Sequence, residues 1–166
     1  TQDSTGLGVK LEKKLWGSWT PHKVKMGVSG CPRNCAESTC KDVGVICVDS
    51  GFQISVGGAA GMDLQETEAL TQAATEDEAP AVVTAFVQIY RENAKYLDRP
   101  YKWIAKVGLD WVKDRVVEDI ENRKALCERF ELSQTIYRKD PWAERAKPAA
   151  AARFRPLADL SVEAAQ

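Results

Sequence analysis

The hydrophobic period of this chain changes beyond residue 62, and that change constrains its fold more than any other feature. Before it, past one N-terminal helix, apolar residues alternate as they do on strands; after it they recur at three and four, as on helices. Strands gathered on one side of such a switch predict an α+β fold. The expectation is a small mixed β-sheet with packed helices, a helical C-terminal half and an extended tail.

Asp3-Ser4-Thr5 offers cap oxygens to a helix whose Leu7, Leu11 and Leu15 share a face, and Trp16-Gly17 supplies its stop. After Pro21, Lys23–Val28 alternates, with Val24, Met26 and Val28 on one face and Lys23 and Lys25 on the other. Val43–Val48 is apolar on both faces, as an interior strand is, and Asp49-Ser50-Gly51 turns it into alternating Phe52–Val56, which predicts a hairpin. Gly57-Gly58-Ala59-Ala60-Gly61 then offers backbone that a bulky or anionic ligand can approach.

The helical part opens at Glu76-Asp77-Glu78, with Pro80 near its first turn and Val83, Phe86, Val87, Tyr90, Ala94 and Leu97 as its stripe. Asp98-Arg99-Pro100 breaks it. Trp103, Val107, Trp111, Val116 and Ile120 continue helical spacing, with Gly108 as a joint. Trp103, Trp111 and Tyr101 read as packing residues. From Pro141 the composition turns to Ala, Arg and Pro without apolar periodicity. The expected organisation is one domain over 1–140, with an α/β part at 1–62 and a helical part at 63–140, followed by an extended tail at 141–166.

A net charge of −1 on 166 residues gives no basic surface for nucleic acid or an anionic membrane. The apolar run at 81–87 is broken by Thr84 and is far shorter than the roughly 20 residues of a membrane span. The chain begins at Thr1 without a leader, which reads as a cut end with sequence missing upstream. Five cysteines, an odd number, fit a reducing compartment, hence the cytoplasm.

Chemistry concentrates in Gly30-Cys31-Pro32-Arg33-Asn34-Cys35, a C-x3-C pair after a short apolar strand. Gly30 and Pro32 constrain the turn, and a helix starting near Arg33 would aim N–H groups at the thiols. Four readings compete: two ligands of an iron–sulfur cluster, a zinc site, a redox dithiol, and inert cysteines. Zinc wants tighter pairs and a second pair, and His22 is the only histidine. A redox dithiol usually reads C-x-x-C. A cubane takes four thiolates, of which Cys31 and Cys35 supply two. Cys40 and Cys47 are candidates for the others, although Cys47 sits in a strand pattern where a buried apolar role is commoner.

The segment Gly30–Glu37, preceded by Pro21-His22-Lys23-Val24-Lys25 and followed by Lys41-Asp42-Val43-Gly44-Val45, resembles the second half of the sirohaem and [4Fe–4S] signature of assimilatory nitrite and sulfite reductases. Asp3–Gly8 and Asp140–Arg145 resemble the C-terminal region of the large subunit of bacterial NAD(P)H-dependent nitrite reductases.

By that resemblance the cluster is held by an earlier C-x5-C pair together with Cys31 and Cys35, and Cys35 also bridges to the sirohaem iron. The earlier pair has no counterpart in this sequence, so the chain alone is expected to hold little or no native cluster and to be inactive. FAD and NAD(P)H are implied on upstream domains of the same polypeptide, with a small nitrite reductase subunit as a partner and nitrite as the substrate reduced to ammonia. Lys23 and Lys25, about 7 Å apart on one strand face, are implied as catalytic cations that attract the anion and supply protons. The bland reading of the two lysines is a solvated face. Arg33 is implied as a bidentate partner of sirohaem carboxylates and Asn34 as a donor to a carboxylate or to cluster sulfur, and Gly57 and Gly58 are implied to line the cofactor. A surface ion pair is the bland reading of Arg33, and ordinary turn glycines that of Gly57, Gly58 and Gly61. His22 reads as structural. A sulfite reductase is the near alternative, and a non-catalytic interaction module the distant one.

Overall fold

In the computed structural model, residues 1–138 and Ala143 are described; the tail expected over 141–166 otherwise lies outside them. The first helix, α1 (Ser4–Leu15), forms as its pattern predicts: Asp3 Oδ1 accepts from Gly6 N at 2.8 Å, and Leu7, Leu11 and Leu15 are its buried residues.

Four strands make a mixed sheet, in the order β1 (Met26–Ser29), β2 (Val43–Val48), β3 (Gly51–Val56) and β6 (Glu68–Ala73), with β1 parallel to β2 and the remaining pairs antiparallel. The interior strand and the hairpin expected at 43–56 are therefore β2 and β3. Two short strands, β4 (Ala59–Ala60) and β5 (Leu64–Gln65), form a separate ribbon.

Two expectations change. The strand expected from Lys23 begins at Met26, because Asp42 Oδ2 takes the Lys25 N–H at 2.8 Å; only the Lys25 carbonyl still faces β2, accepting from Val43 N at 3.1 Å. The alternation itself holds, with Val24, Met26 and Val28 against the core and Lys23 and Lys25 exposed. Residues 64–65 and 68–73, placed in the helical part, are strands. β6 carries Glu and Ala, which are depleted in strands, and a register shift between Ile54 and Ser55 blurs its alternation, so tertiary pairing recruits it.

The long helix α2 (Glu78–Asn93) is buried continuously from Val82 to Tyr90. Its start is tied to the residues before it, Glu78 N donating to Thr75 Oγ1 at 3.2 Å and Ala74 N to Glu78 Oε2 at 3.0 Å. Leu97, expected on its stripe, lies beyond its end, exposed and left-handed at φ +70°.

Pro100 starts α3 (Pro100–Val107), and Gly108, at φ +88°, is the joint to α4 (Leu109–Lys113). A π-helical turn at Asp114–Glu118 then inserts an extra residue before α5 (Ile120–Tyr137). The inserted residue explains why Val116 is buried while Ile120, expected on the same face, is 52% exposed.

Trp103 stands at the centre of the helical layer, against Phe86, Tyr90 and Trp111 at ring separations of 6.1, 5.6 and 6.2 Å. A single apolar cluster runs from Leu7 through the sheet to Phe130, so sheet and helices share one core. Among the described residues no helix is long and apolar enough to cross a membrane.

Candidate functional site

Because β1 and β2 are parallel, the chain must cross back between them, and the crossover is residues 30–42, the cysteine segment itself. It passes over a notch in the sheet. Gly27 and Gly44 are register partners, a Cβ on Gly27 would meet Ser38 Cα and the Ala36 carbonyl at 3.2 Å, and one on Gly44 would run into the Ser38 carbonyl. These two glycines are site-shaping residues that the cysteine motif did not announce; glycine inside a strand pattern is the signal that marks close backbone approach.

No helix begins at Arg33. The chain instead turns twice in the left-handed region, at Asn34 (φ +55°) and Glu37 (φ +52°), and only then forms one 3-10 turn, Ser38–Cys40. Asn34 tolerates that region and fixes the turn with its side chain. Its Oδ1 accepts from Ser38 N at 2.7 Å and Ser29 Oγ at 3.0 Å, and its Nδ2 donates to Thr39 Oγ1 at 2.8 Å. Ser29 and Ser38, both buried, are linked hydroxyl to hydroxyl at 2.8 Å.

The result is a turn held by side-chain bonds that leaves Cys35 exposed and Cys31 half-buried. Cys40 is also half-buried, but its Sγ donates to the Glu37 carbonyl at 3.2 Å and lies 3.7 Å from Lys41 Nζ. The Glu37 carboxylate, followed by the neighbouring Cys40, holds the Lys41 ammonium above its usual range. Cys47 is fully buried in β2, where burial pushes its thiol up.

Thiolate chemistry fits Cys31 and Cys35 to a cluster as two donors of four. Among the described residues no three Cys, His, Asp or Glu side chains gather as a metal site, so Cys40 and Cys47 do not complete the set.

Lys23, Lys25 and Arg33 are exposed and, among the described residues, have no carboxylate partner. His22 is half-buried, its Nδ1 accepting from Lys23 N at 2.8 Å. Gly57 and Gly58, expected to let backbone approach a cofactor, are buried instead against the end of the crossover. Gly57 N donates to the Asp42 carbonyl and Gly58 N to the Lys41 carbonyl, both at 2.9 Å, and a Cβ on Gly58 would strike Lys41 backbone. Tyr101, read as a packing residue, is half-buried and bonds Asp63 beside the β4–β5 ribbon.

Sequence reasoning missed Asp42 and Arg99. Asp42 is completely buried, and Arg99 grips both its oxygens, Nη2 at 2.7 Å from each. The approach of two residues 57 positions apart left no local signal.

Residues 1–124 match the family model of the nitrite and sulphite reductase 4Fe-4S domain. The chain is 46% identical over 144 residues to the nitrite reductase [NAD(P)H] of Bacillus subtilis, covering 87% of this chain and 18% of that protein. It is 35% identical over 116 residues to the assimilatory-type sulfite reductase of Nitratidesulfovibrio vulgaris, covering 70% of this chain and 53% of that one. The solved NirA protein of Mycobacterium tuberculosis superposes with a TM-score of 0.53 at 24% identity, over 65% of this chain and 22% of that chain, a likeness of fold. The chain thus spans under a fifth of the Bacillus subtilis relative and about half of the sulfite reductase. A cysteine turn set over a glycine notch, on a sheet backed by helices, is what this matched segment builds, and the chain belongs to the nitrite and sulphite reductase 4Fe-4S domain family, whose cofactor is an iron–sulfur cluster.

Proposed function

We propose that this chain is the C-terminal part of an NAD(P)H-dependent nitrite reductase large subunit, that residues 1–140 form its nitrite/sulfite reductase-type domain, and that it acts in the cytoplasm on nitrite. Cys31 and Cys35 would supply two thiolates to a [4Fe–4S] cluster, with Cys35 the one that would also serve a sirohaem. The remaining cluster ligands, the FAD and the NAD(P)H site belong to upstream domains, and a small nitrite reductase subunit is the partner. When bound, cluster and sirohaem supply electrons and an open iron position for the anion.

The residues of this chain do the rest. The left-handed turn at Asn34 leaves Cys35 exposed and Cys31 partly so, where a metal centre can reach them. Lys23 and Lys25 have no carboxylate partner among the described residues, so their ammonium groups can attract a small anion and supply protons to it. Arg33 presents a planar fork suited to a carboxylate-bearing macrocycle. Asn34 acts through the shape of the turn.

The observation that carries this reading is the turn itself, with Cys35 exposed and Cys31 half-buried, together with three exposed cations, Lys23, Lys25 and Arg33, that have no carboxylate partner among the described residues. The test is iron, sirohaem and visible spectra on this chain and on one extended upstream through a further cysteine pair, followed by turnover of the loaded form. A chromophore in the extended form alone, with kcat/KM for nitrite lowered by Lys23→Ala and Lys25→Ala, is the expected result. No chromophore in either form overturns it in favour of an interaction module.

The identity with a sulfite reductase favours a second reading, sulfite as substrate. Sulfite turnover matching nitrite turnover in the loaded form would decide for it.

A further inference from the structure

Residues Pro21–Lys25 precede β1, and besides local bonds at His22 and the Lys25 carbonyl's bond to Val43, three polar contacts tie them to the connection between α2 and α3, directly or through Asp42. His22 N donates to Tyr90 Oη at 3.2 Å, and that hydroxyl donates onward to the Asp98 carbonyl at 2.5 Å. Leu97 N donates to the Pro21 carbonyl at 3.0 Å, from the left-handed backbone that took Leu97 off the helix stripe. Lys25 N donates to Asp42 Oδ2 at 2.8 Å, and Asp42 is in turn gripped by Arg99, with Nε and Nη2 at 3.1 and 2.7 Å from Oδ1.

A carboxylate with no exposed surface is costly to desolvate, and apolar side chains of similar volume would fill the same space without that cost. What they would not provide is a directional bond to the backbone of Lys25. Asp42 is also the last residue of the cysteine crossover, and its carbonyl receives the Gly57 N–H. One side chain therefore ties the segment carrying the lysines to the turn carrying the thiols.

We propose that Asp42 and Arg99, with Tyr90 beside them, are positioning residues for Lys23 and Lys25. They fix the backbone and leave both ammonium groups free to meet the anion. The proposal rests on the reading of those lysines as the cations that meet nitrite. It goes beyond that reading in making the helical layer, through the α2–α3 connection, the element that fixes the backbone carrying the lysines.

The test reads two quantities: amide hydrogen exchange on this chain, and nitrite kinetics on the cofactor-loaded reductase carrying the same substitution. Asp42→Asn and Tyr90→Phe are expected to speed exchange at Lys25 and His22 respectively by about tenfold or more, with the core amides unchanged. In the loaded enzyme each is expected to raise KM for nitrite by about tenfold at unchanged sirohaem and iron content, because misplacing a positioned group weakens every encounter it mediates. If Asp42→Asn does not fold, Arg99→Lys carries the same test, keeping the charge and removing the fork.

A merely structural clamp would reduce the yield of loaded enzyme, and so apparent kcat, while leaving KM unmoved; that result overturns the proposal. Unchanged exchange at Lys25 in Asp42→Asn overturns it as well. Should Lys25→Ala leave KM for nitrite unmoved while Asp42→Asn still speeds exchange, the proposal falls through its premise about the lysines, with the clamp itself intact.

Discussion

Between Cys31 and Glu37 only Cys31 and Asn34 are even half-buried, whereas every residue of α2 from Val82 to Tyr90 is buried. The two regions hold their shapes by different means. The helix is fixed by apolar area, which is non-directional and spread over many side chains. The turn is fixed by a few directional bonds, centred on Asn34, Ser29 and Asp42, and by two glycines whose missing Cβ atoms let the crossover lie on the sheet. A region built by area tolerates imprecise placement of any one atom; a region built by point contacts can hold thiols facing solvent, because it does not need their burial.

The largest effect that tests this contrast is in thiol labelling. Cys35 should react with an alkylating reagent about a thousand times faster than Cys47 or more, since Cys47 reacts only when β2 opens. Mass spectrometry of partly labelled protein reads the ratio, and comparable rates would break the comparison. Next comes Trp103→Ala, which removes the ring packed on Phe86, Tyr90 and Trp111 and should cost about 3–5 kcal/mol in urea unfolding. A loss below about 1 kcal/mol would mean that area does not dominate the helical layer.

A smaller effect belongs to the notch. Gly44→Ala sets a methyl group against the Ser38 carbonyl and should cost about 1–3 kcal/mol, while Gly8→Ala in α1 meets nothing and should stabilise by up to about 1 kcal/mol. Equal behaviour of the two variants would remove the close approach from the account.

The smallest effect is in pH. Burial raises the thiols of Cys47 and Cys127, so the folded state favours their neutral forms. That contribution is fully present below the unfolded thiol's pKa of about 8.5 and is lost as pH rises through the folded values, so the urea midpoint should fall at alkaline pH. Cys47→Ala should flatten the fall; an unchanged slope would place its source elsewhere.

Much of the fold was legible because it rests on local repetition. Leu7, Leu11 and Leu15 announced α1, Val43–Val48 an interior strand, and Gly108 a joint, each through a pattern lying within a few turns of chain. β6 was not legible, since apart from Thr71 its residues favour no strand and its pairing depends on the edge that β3 offers. The cysteine pair was readable as a motif, but the expected helix at Arg33 was not there. Asn34 and Glu37 take left-handed backbone, and the bonds that favour it come from Ser29, Ser38 and Thr39 as the whole crossover closes.

By itself the sequence determined the class of fold, the first and central helices, the cysteine pair as a motif and the family to which they belong, because each of these is written in residue types at short, fixed spacing. The tertiary structure alone decided that the cysteine segment is a parallel crossover resting on Gly27 and Gly44, and that Asp42 and Arg99 meet beneath it. Those contacts join residues far apart in the chain, and their geometry exists only once the sheet and the α2–α3 connection have packed against each other.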